Sequence, residues 1–512
     1  MHFVIRADAS VQIGAGHIMR CLTLADKLSY LGGSVEFITR RLSGNMDDYI
    51  QSKGYKVHSL IHSGLLDLPT SDIDSNSMFD YPQELDASET IQLLSGKDTH
   101  WLIVDNYCLD IIWEEKLKNY SKKLMVIDDL ANRSHCCDLL LDQNYTRNKN
   151  RYDNLLFPET IKLLGPKYAL LRDSFGGNGV RKKRKFNTIE NVFVFFGGAD
   201  PNDLTSLSLR SLRHPELKNI SVTVVIGNIN PNQKKIRKLI AQLPNAKLHV
   251  QTEDIAELMA NADVALGAGG TSTSERLAMG LPSIVVTVAD NQVDSIKDLD
   301  HDGYLVWIGS ADNVCEEIIQ VSLLAVIRSP SLGKTQSLSA QKLVSPNGCE
   351  LVAKLIVEGL DAETLIIRKA NPDDCLLYWH WASDPVVRKN AFNIENISWE
   401  SHQVWFAKQL DNSDAILFLI ESEYGPVGQV RFKNVDSVFM ISYSIGRVFR
   451  GFGLGRGLLE KAISTLRLSY TGIVFGDVKN TNIASKIIFK QLGFKEIVPS
   501  PKKGAHRFEL HL

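Results

Sequence analysis

The chain has 512 residues, 44% of them hydrophobic and 23% charged, with a net charge of -2 and a pI near 6.7; at about 150 residues per domain this predicts roughly three globular domains. The near-neutral balance excludes a global attraction for nucleic acid or an anionic membrane, so any anion has to be held locally. Seven cysteines without metal-ligand spacing, Arg6 and Asp8 inside the first apolar segment, and no apolar run near the roughly 18 residues of a membrane span point to a cytoplasmic protein with free thiols.

The first region, residues 1–175, opens with a predicted strand at Phe3–Ile5, a glycine-bearing loop and a helix whose apolar face is Ile18, Cys21, Leu22, Ala25 and Leu28. Further strands are expected at Val35–Thr39, Trp101–Asp105 and Leu124–Asp128, alternating with helices. The basic run Arg181 to Lys185 reads as a solvated linker. The same rhythm restarts in residues 186–357, with strands at Val192–Phe196, Val222–Ile226, Val264–Leu266 and Ser283–Val288, which predicts a second parallel sheet and a ligand cleft at the strand ends. In residues 362–512 the pattern changes to an antiparallel meander, Ile416–Ile420, Val427–Lys433 and Phe439–Ile445, with turns at Glu423, Tyr424 and Gly425 and at Asn434, Asp436 and Ser437. The last strand alternates, with Phe439, Ile441, Tyr443 and Ile445 on one face and Ser442 and Ser444 on the other.

Gly14 and Gly16 stand directly before His17 in the first turn of the first helix. The positive helix end disfavours an imidazolium, which gives a neutral ring able to act as a base; a capping or packed histidine is the other reading. In the second region, Gly269 and Gly270 would bring backbone N–H groups to a diphosphate, with Thr271, Ser272 and Ser274 opening a helix. Glu275, one turn in, is placed to accept hydrogen bonds from ribose hydroxyls or is an ordinary first-turn acid. Gly197 and Gly198 form another close-approach loop after a strand, and Asn291 with Gln292 begins a helix at the same sheet edge. Asp72 and Asp74 share the spacing of a glycosyltransferase metal motif but lie in a polar, serine-rich stretch, and no metal is assigned.

After the meander comes a loop with Gly451, Gly453 and Gly455, flanked by Arg450 and Arg456 and followed by a helix with the apolar face Leu458, Leu459, Ala462, Ile463 and Leu466. Strand, glycine loop and helix make an anion site suited to a pyrophosphate. A dinucleotide loop or a plain turn would also use glycines, but the preceding strand is antiparallel and no acidic ribose-binding residue is placed for a dinucleotide.

With Asn482, Ser485, Phe489, Gly493 and Phe494 following, this segment resembles the GNAT acetyltransferase superfamily, whose pattern of Arg or Gln, two residues, Gly, one residue, Gly is met by Arg450, Gly453 and Gly455. The resemblance implies acetyl-CoA as co-substrate. It also implies a strand that splays at Ser444 and Ile445 so that backbone N–H holds the thioester carbonyl, and Asn482 beside the pantetheine arm. The chain departs from the family at Phe489, where many relatives place a tyrosine as general acid; Tyr443 is a substitute or a core residue. Trp381, Asp384, Arg388, Ser398, His402 and Trp405 resemble the opening of GNAT enzymes that acetylate amino groups on nucleotide-linked sugars, although the tryptophans also read as core.

Residues 1–355 resemble the sugar-nucleotide-binding GT-B fold of the MurG type, and within it the UDP-sugar hydrolases of pseudaminic acid biosynthesis. The carriers are Arg6 to Ser10, Gly16 to Ala25, the Asp128–Asp129 pair with Arg133 and His135, Leu163 to Arg172, and the glycine block ending at Asn291 and Gln292. The resemblance implies His17 as base for water attack at the anomeric carbon, with UDP leaving toward amides near Gly269 to Ser272. The expected protein is therefore α/β throughout: two Rossmann-like domains in a GT-B arrangement, then a GNAT α/β domain with a mixed, largely antiparallel sheet. Its expected activities are N-acetylation of a UDP-4-amino-4,6-dideoxy sugar and hydrolytic release of the 2,4-diacetamido-2,4,6-trideoxy sugar from UDP. A true glycosyltransferase in place of the hydrolase, and a non-catalytic acetyl-CoA sensor in place of the acetyltransferase, are the alternatives.

Overall fold

The computed structural model describes residues 1–11, 13–60, 82–176, 186, 188–435 and 438–512. Asp72 and Asp74, the basic run Arg181 to Lys185, and the turn residues Asp436 and Ser437 lie outside the described residues. Contacts divide the chain into two compact units. One holds Met1–Cys136, Leu140–Leu155 and Leu163–Val357; the other holds Cys137–Leu139, Leu156–Lys162 and Glu358–Leu512.

The first unit is built on two sheets. The first comprises β1 (His2–Ala7), β2 (Ser34–Arg40), β3 (Lys56–Leu60), β4 (Trp101–Asp105), β5 (Lys123–Ile127), β6 (Leu139–Asp142) and β7 (Ile161–Leu164). Their order is β3-β2-β1-β4-β5-β6-β7, and β1 to β5 pair in parallel. The second comprises β8 (Asn191–Phe195), β9 (Ser221–Ile226), β10 (Ala246–Val250), β11 (Val264–Ala268), β12 (Ser283–Thr287) and β13 (Val306–Ser310), in the order β10-β9-β8-β11-β12-β13. All of its pairings are parallel. Central strands of both sheets, such as β4, β5, β11 and β12, are buried at every residue, which is why they read as continuous apolar runs.

The side chains of the second sheet sort by alternation. Phe193, Val225, Ala265 and Val285 join one core cluster, and Val192, Val194, Leu266 and Ile284 join the other. Both sheets reverse strand order once, between β1 and β4 and between β8 and β11. Such reversals open a crevice at the carboxyl ends of the strands, where ligands of open parallel sheets bind.

The second unit carries β14 (Ile366–Lys369), β15 (Ala415–Ser422), β16 (Gly425–Val435), β17 (Val438–Ile445), β18 (Ile473–Lys479), β19 (Lys495–Ile497) and β20 (Ala505–His511), ordered β14-β15-β16-β17-β18-β20-β19. Every pairing is antiparallel except β17 with β18. Gly425, expected in the turn, begins β16 at φ +112, so the turn shortens to Glu423 and Tyr424. The serine face of β17 is covered rather than wet: Ser444 is buried and accepts a hydrogen bond from Gln429 Nε2 at 3.0 Å. On the same face, Leu417 and Leu419 of β15 pack with Tyr378, Trp381 and Phe406 from the helices Cys375–Ser383 and Trp399–Leu410.

Candidate functional site

The loop after β1 tightens through Gly14, at φ +78, whose N–H donates to the Ser10 carbonyl at 2.8 Å. The helix Gly16–Tyr30 starts at once, with Ala15 at its cap position and no side-chain cap, so His17 does not cap it. The buried His17 ring turns inward to Asp105, the last residue of β4, with Nδ1 2.5 Å from Oδ1. Arg20, one helical turn on, grips the same carboxylate through Nε and Nη2 at 2.6 Å each. Its third nitrogen, Nη1, reaches Asp129 at 3.1 Å. Asp129 also accepts from the Tyr107 hydroxyl at 2.6 Å, and the Tyr107 ring stands edge-on to His17 with centroids 4.5 Å apart.

Burial would raise the Asp105 carboxyl, but the Arg20 guanidinium, and after it His17, hold the group well below the usual carboxylate range. Deeper in, Asp142 is pushed up to about 7 by burial, against Arg151 and with the charge of Asp129 adding to the rise. Asp128 is paired with Arg133 at 2.8 Å and with Tyr152, and His135 Nδ1 lies 2.6 Å from Glu114.

At the second reversal point, β11 ends at Ala268 and is followed by Gly269 and Gly270, and the helix Ser272–Ala278 begins after Thr271. A side chain at Gly269 would meet Gln292 Oε1 at 3.1 Å and Ile296 at 2.8 Å, and one at Gly16 would meet Thr271 at 3.4 Å. A side chain is thus crowded out at Gly269, whereas at Gly16 it would make an ordinary contact. Gln292 Oε1 accepts from the Val288 N–H, and Asn291 Nδ2 donates to the Tyr107 hydroxyl at 3.4 Å. Glu275 Oε1 accepts from Arg172 Nη2 at 3.1 Å, and burial, opposed by Arg172, lifts its pKa. Gly197, at φ +94, and Gly198 follow β8 at the same sheet edge, and Gly198 backs onto Gly227.

The structure thus gathers His17, Gly16, Gly269 to Glu275, Asn291 and Gln292 around neighbouring strand ends. A small cavity beside the glycine loop is lined by Asn144, Tyr145, Gly269, Gly270, Thr273 and Ser274, among others. Sequence reasoning missed Asp105, Arg20, Tyr107, Arg172 and Arg276 as parts of this arrangement. Arg276 is fully buried and braces the glycine loop through Ala268 O at 2.7 Å and the hydroxyls of Ser272 and Thr273. Burial, with Glu275 opposing, brings it down to about 10.

In the mixed-sheet unit, β17 pairs with β18 only from Val438 to Met440, while β17 continues to Ile445 and β18 to Lys479. The strands therefore part ahead of Ser444 and Ile445. The loop beyond holds Gly451 at φ +87 and Gly453 at φ +76, the latter at the cap position of the helix Leu454–Arg467. A side chain at Gly455 would press on Ile488 of the helix Ile483–Gln491 at 2.6 Å. Arg450 Nε donates to Ile445 O at 2.8 Å and its Nη1 pairs at 2.9 Å with Asp384, the cap of the short helix Pro385–Asn390, which ties the loop to that helix and leaves Nη2 without a hydrogen-bond partner among the described residues.

Arg456 is exposed and pairs with Glu460 at 3.9 Å. Asn482 caps the Ile483–Gln491 helix through the Ser485 N–H. Phe489 is buried against Phe494 and Phe508, and the Tyr443 hydroxyl lies 2.9 Å from Ser485 Oγ. Trp381 belongs to the core, whereas Trp405 is partly buried beneath the Arg431 guanidinium at 5.0 Å. His402 is buried and stacked between Trp399 and Phe406; burial lowers its pKa to about 4. Among the described residues there is no cluster of three or more metal-ligating side chains, and no helix is long and apolar enough to cross a membrane.

Comparison with known proteins adds family matches to this geometry. Residues 364–495 match the family described as Acetyltransferase (GNAT) domain, and residues 191–342 match the Glycosyltransferase family 28 C-terminal domain. The chain is thus a fusion of a glycosyltransferase-28-type region and a GNAT domain. It is 23% identical to an uncharacterized protein of Methanocaldococcus jannaschii over 97% of both chains. It is 27% identical to a UDP-2,4-diacetamido-2,4,6-trideoxy-beta-L-altropyranose hydrolase of Campylobacter jejuni, over 60% of this chain and 98% of that one. Among solved structures it is similar to Acinetobacter baumannii MurG, at 15% identity and a TM-score of 0.46, over 69% of this chain and 99% of that one.

Proposed function

We propose that the chain is a bifunctional nucleotide-sugar enzyme of pseudaminic acid biosynthesis, in which the GNAT domain acetylates the amine of a UDP-4-amino-4,6-dideoxy sugar. The two-sheet region then hydrolyses the resulting 2,4-diacetamido-2,4,6-trideoxy sugar from UDP. The observation that carries the reading is His17, held against Asp105 at the first reversal point, in a region similar along nearly its whole length to a hydrolase of that sugar.

In the hydrolytic step, His17 Nε2 takes a proton from water as its oxygen bonds to the anomeric carbon. The carbon–oxygen bond to the diphosphate breaks and its electron pair leaves with UDP. Backbone N–H groups at Gly270 to Ser272 meet that charge, and Glu275, fixed through Oε1 by Arg172, presents Oε2 to the ribose. For acetyl transfer, the parted ends of β17 and β18 and the positive-φ loop at Gly451 and Gly453 fit the pantetheine arm and the pyrophosphate of acetyl-CoA. The domain's contribution is positioning: the amine attacks the thioester carbonyl, the carbon–sulfur bond breaks with its electron pair on the thiolate, and the proton lost by the nitrogen is balanced by the one the thiolate takes up.

The family 28 match at 191–342 favours one second reading, sugar transfer to an acceptor. Incubation with the UDP-4-amino sugar and acetyl-CoA, followed by mass spectrometry, separates the two. The expected products are the acetylated UDP-sugar, then free diacetamido sugar and UDP without any acceptor. Strict dependence on an added acceptor would overturn the hydrolytic reading.

A further inference from the structure

We propose that Asp105 is the positioning residue of the hydrolytic step, fixing His17 in the tautomer that leaves Nε2 as the base and answering the charge the ring acquires. This rests on the hydrolase reading above.

The geometry starts from a carboxylate that cannot turn. Asp105 is fully buried, and both of its oxygens are occupied: Oδ2 by Arg20 Nε at 2.6 Å and by Cys21 Sγ at 3.4 Å, Oδ1 by Arg20 Nη2 at 2.6 Å. Oδ1 also lies 2.5 Å from His17 Nδ1. A nitrogen that close to a carboxylate oxygen carries a hydrogen, since two lone pairs would repel. Arg20 Nη2, at 3.2 Å from the same Nδ1, is the more distant neighbour, so Nδ1–H points at Asp105, and in the neutral ring Nε2 carries the lone pair.

Arg20 serves two carboxylates, Asp105 and Asp129, so this group carries one net negative charge while the His17 ring is neutral, and that charge is balanced when the ring becomes positive during the reaction. When water's proton passes to Nε2, the imidazolium is held between Asp105 and the edge-on ring of Tyr107. The proton then returns to solvent as UDP departs. Asp105 touches neither water nor sugar; it acts through His17.

Two measurements test this. The first uses the unmodified protein labelled with 15N-histidine, with the His17 signals identified by their loss in His17→Gln. The neutral ring is expected to carry its proton on Nδ1, with that proton strongly deshielded by Asp105. The second compares Asp105→Asn and Asp105→Glu with wild type in UDP-sugar hydrolysis. Asp105→Asn is expected to lower kcat on the order of 10³-fold with little change in KM, and Asp105→Glu to recover part of the loss. UDP binding measured by calorimetry reports whether each variant is folded.

Hydrolysis by wild type with His17 protonated on Nε2, or a folded Asp105→Asn that keeps kcat within about threefold, overturns the positioning role alone. Wild type that releases no sugar overturns the hydrolase reading and this role with it. If Asp105→Asn fails to bind UDP, the tautomer in wild type decides.

Discussion

Both units of the molecule place glycine loops between a strand and a helix, yet they surround those loops with charge in opposite ways. In the two-sheet unit the ionisable groups are buried and answer one another: His17 with Asp105, Arg20 with Asp105 and Asp129, and Arg276 with a carbonyl and two hydroxyls. In the mixed-sheet unit Arg450 is tied to Asp384, Arg456 is out in water, and the position that could have carried an acid is Phe489, packed among other rings. Preorganised buried charge is what proton transfer and bond cleavage demand. Joining an amine to an already activated thioester needs chiefly approach and orientation.

The strongest way to break that contrast is His17→Ala. Removing the only base proposed for hydrolysis should lower sugar release from UDP by about 10³-fold, with acetylation of the amino sugar unchanged, both followed in one reaction by mass spectrometry. Loss of both activities would place His17 in the fold rather than in the chemistry. Retention of both would remove it from the mechanism.

Much of this organisation is legible in the chain before any coordinates. Strands buried on both faces announce themselves as apolar runs, so β4, β8, β9, β11 and β12 are found nearly to the residue. Partly wet strands such as β10 and β13, half-buried along their length, pass unnoticed because they are short, although Ala246, Leu248 and Val250 of β10 alternate with Lys247 and His249 and pack on the core. Loops that need positive φ are marked by Gly14, Gly451 and Gly453. What no local pattern carries is partnership. Asp105 lies 88 residues from His17, Arg172 lies 103 from Glu275, and Asp384 lies 66 from Arg450. Only the tertiary fold brings such pairs together, and the third of them shows a residue read as an anion ligand bracing its own loop as well.

A smaller effect sharpens the contrast from the mixed-sheet side, where the buried His402 has no carboxylate partner among the described residues. Its pKa is lowered to about 4, chiefly by burial, against about 6.5 in an unfolded chain. The unfolded state therefore binds more protons between those values, and stability is complete above about pH 6.5 and is lost as pH falls toward 4. The loss amounts to about 3 kcal/mol at most. Urea unfolding followed by tryptophan fluorescence should show it, since Trp379, Trp381, Trp399 and Trp405 all lie in this domain. His402→Phe should flatten the dependence; an unaltered slope would assign the acid sensitivity to other groups.

The smallest expected effect belongs to Arg456. A cation in the first turn of the Leu454–Arg467 helix sits at the wrong end of the dipole, and its exposed pair with Glu460 at 3.9 Å contributes no more than about 0.5 kcal/mol. Stability of the protein alone thus gives no reason for arginine there, whereas an anion docking on the Gly451–Gly453 loop does. Arg456→Ala should leave the unfolding midpoint within about 0.5 kcal/mol of wild type or raise it slightly. It should also raise KM for acetyl-CoA about threefold at low salt, with the difference fading as salt screens the exposed charge. An unchanged KM would mean that the backbone N–H groups of the loop, with the one unpartnered nitrogen of Arg450, hold the pyrophosphate without Arg456.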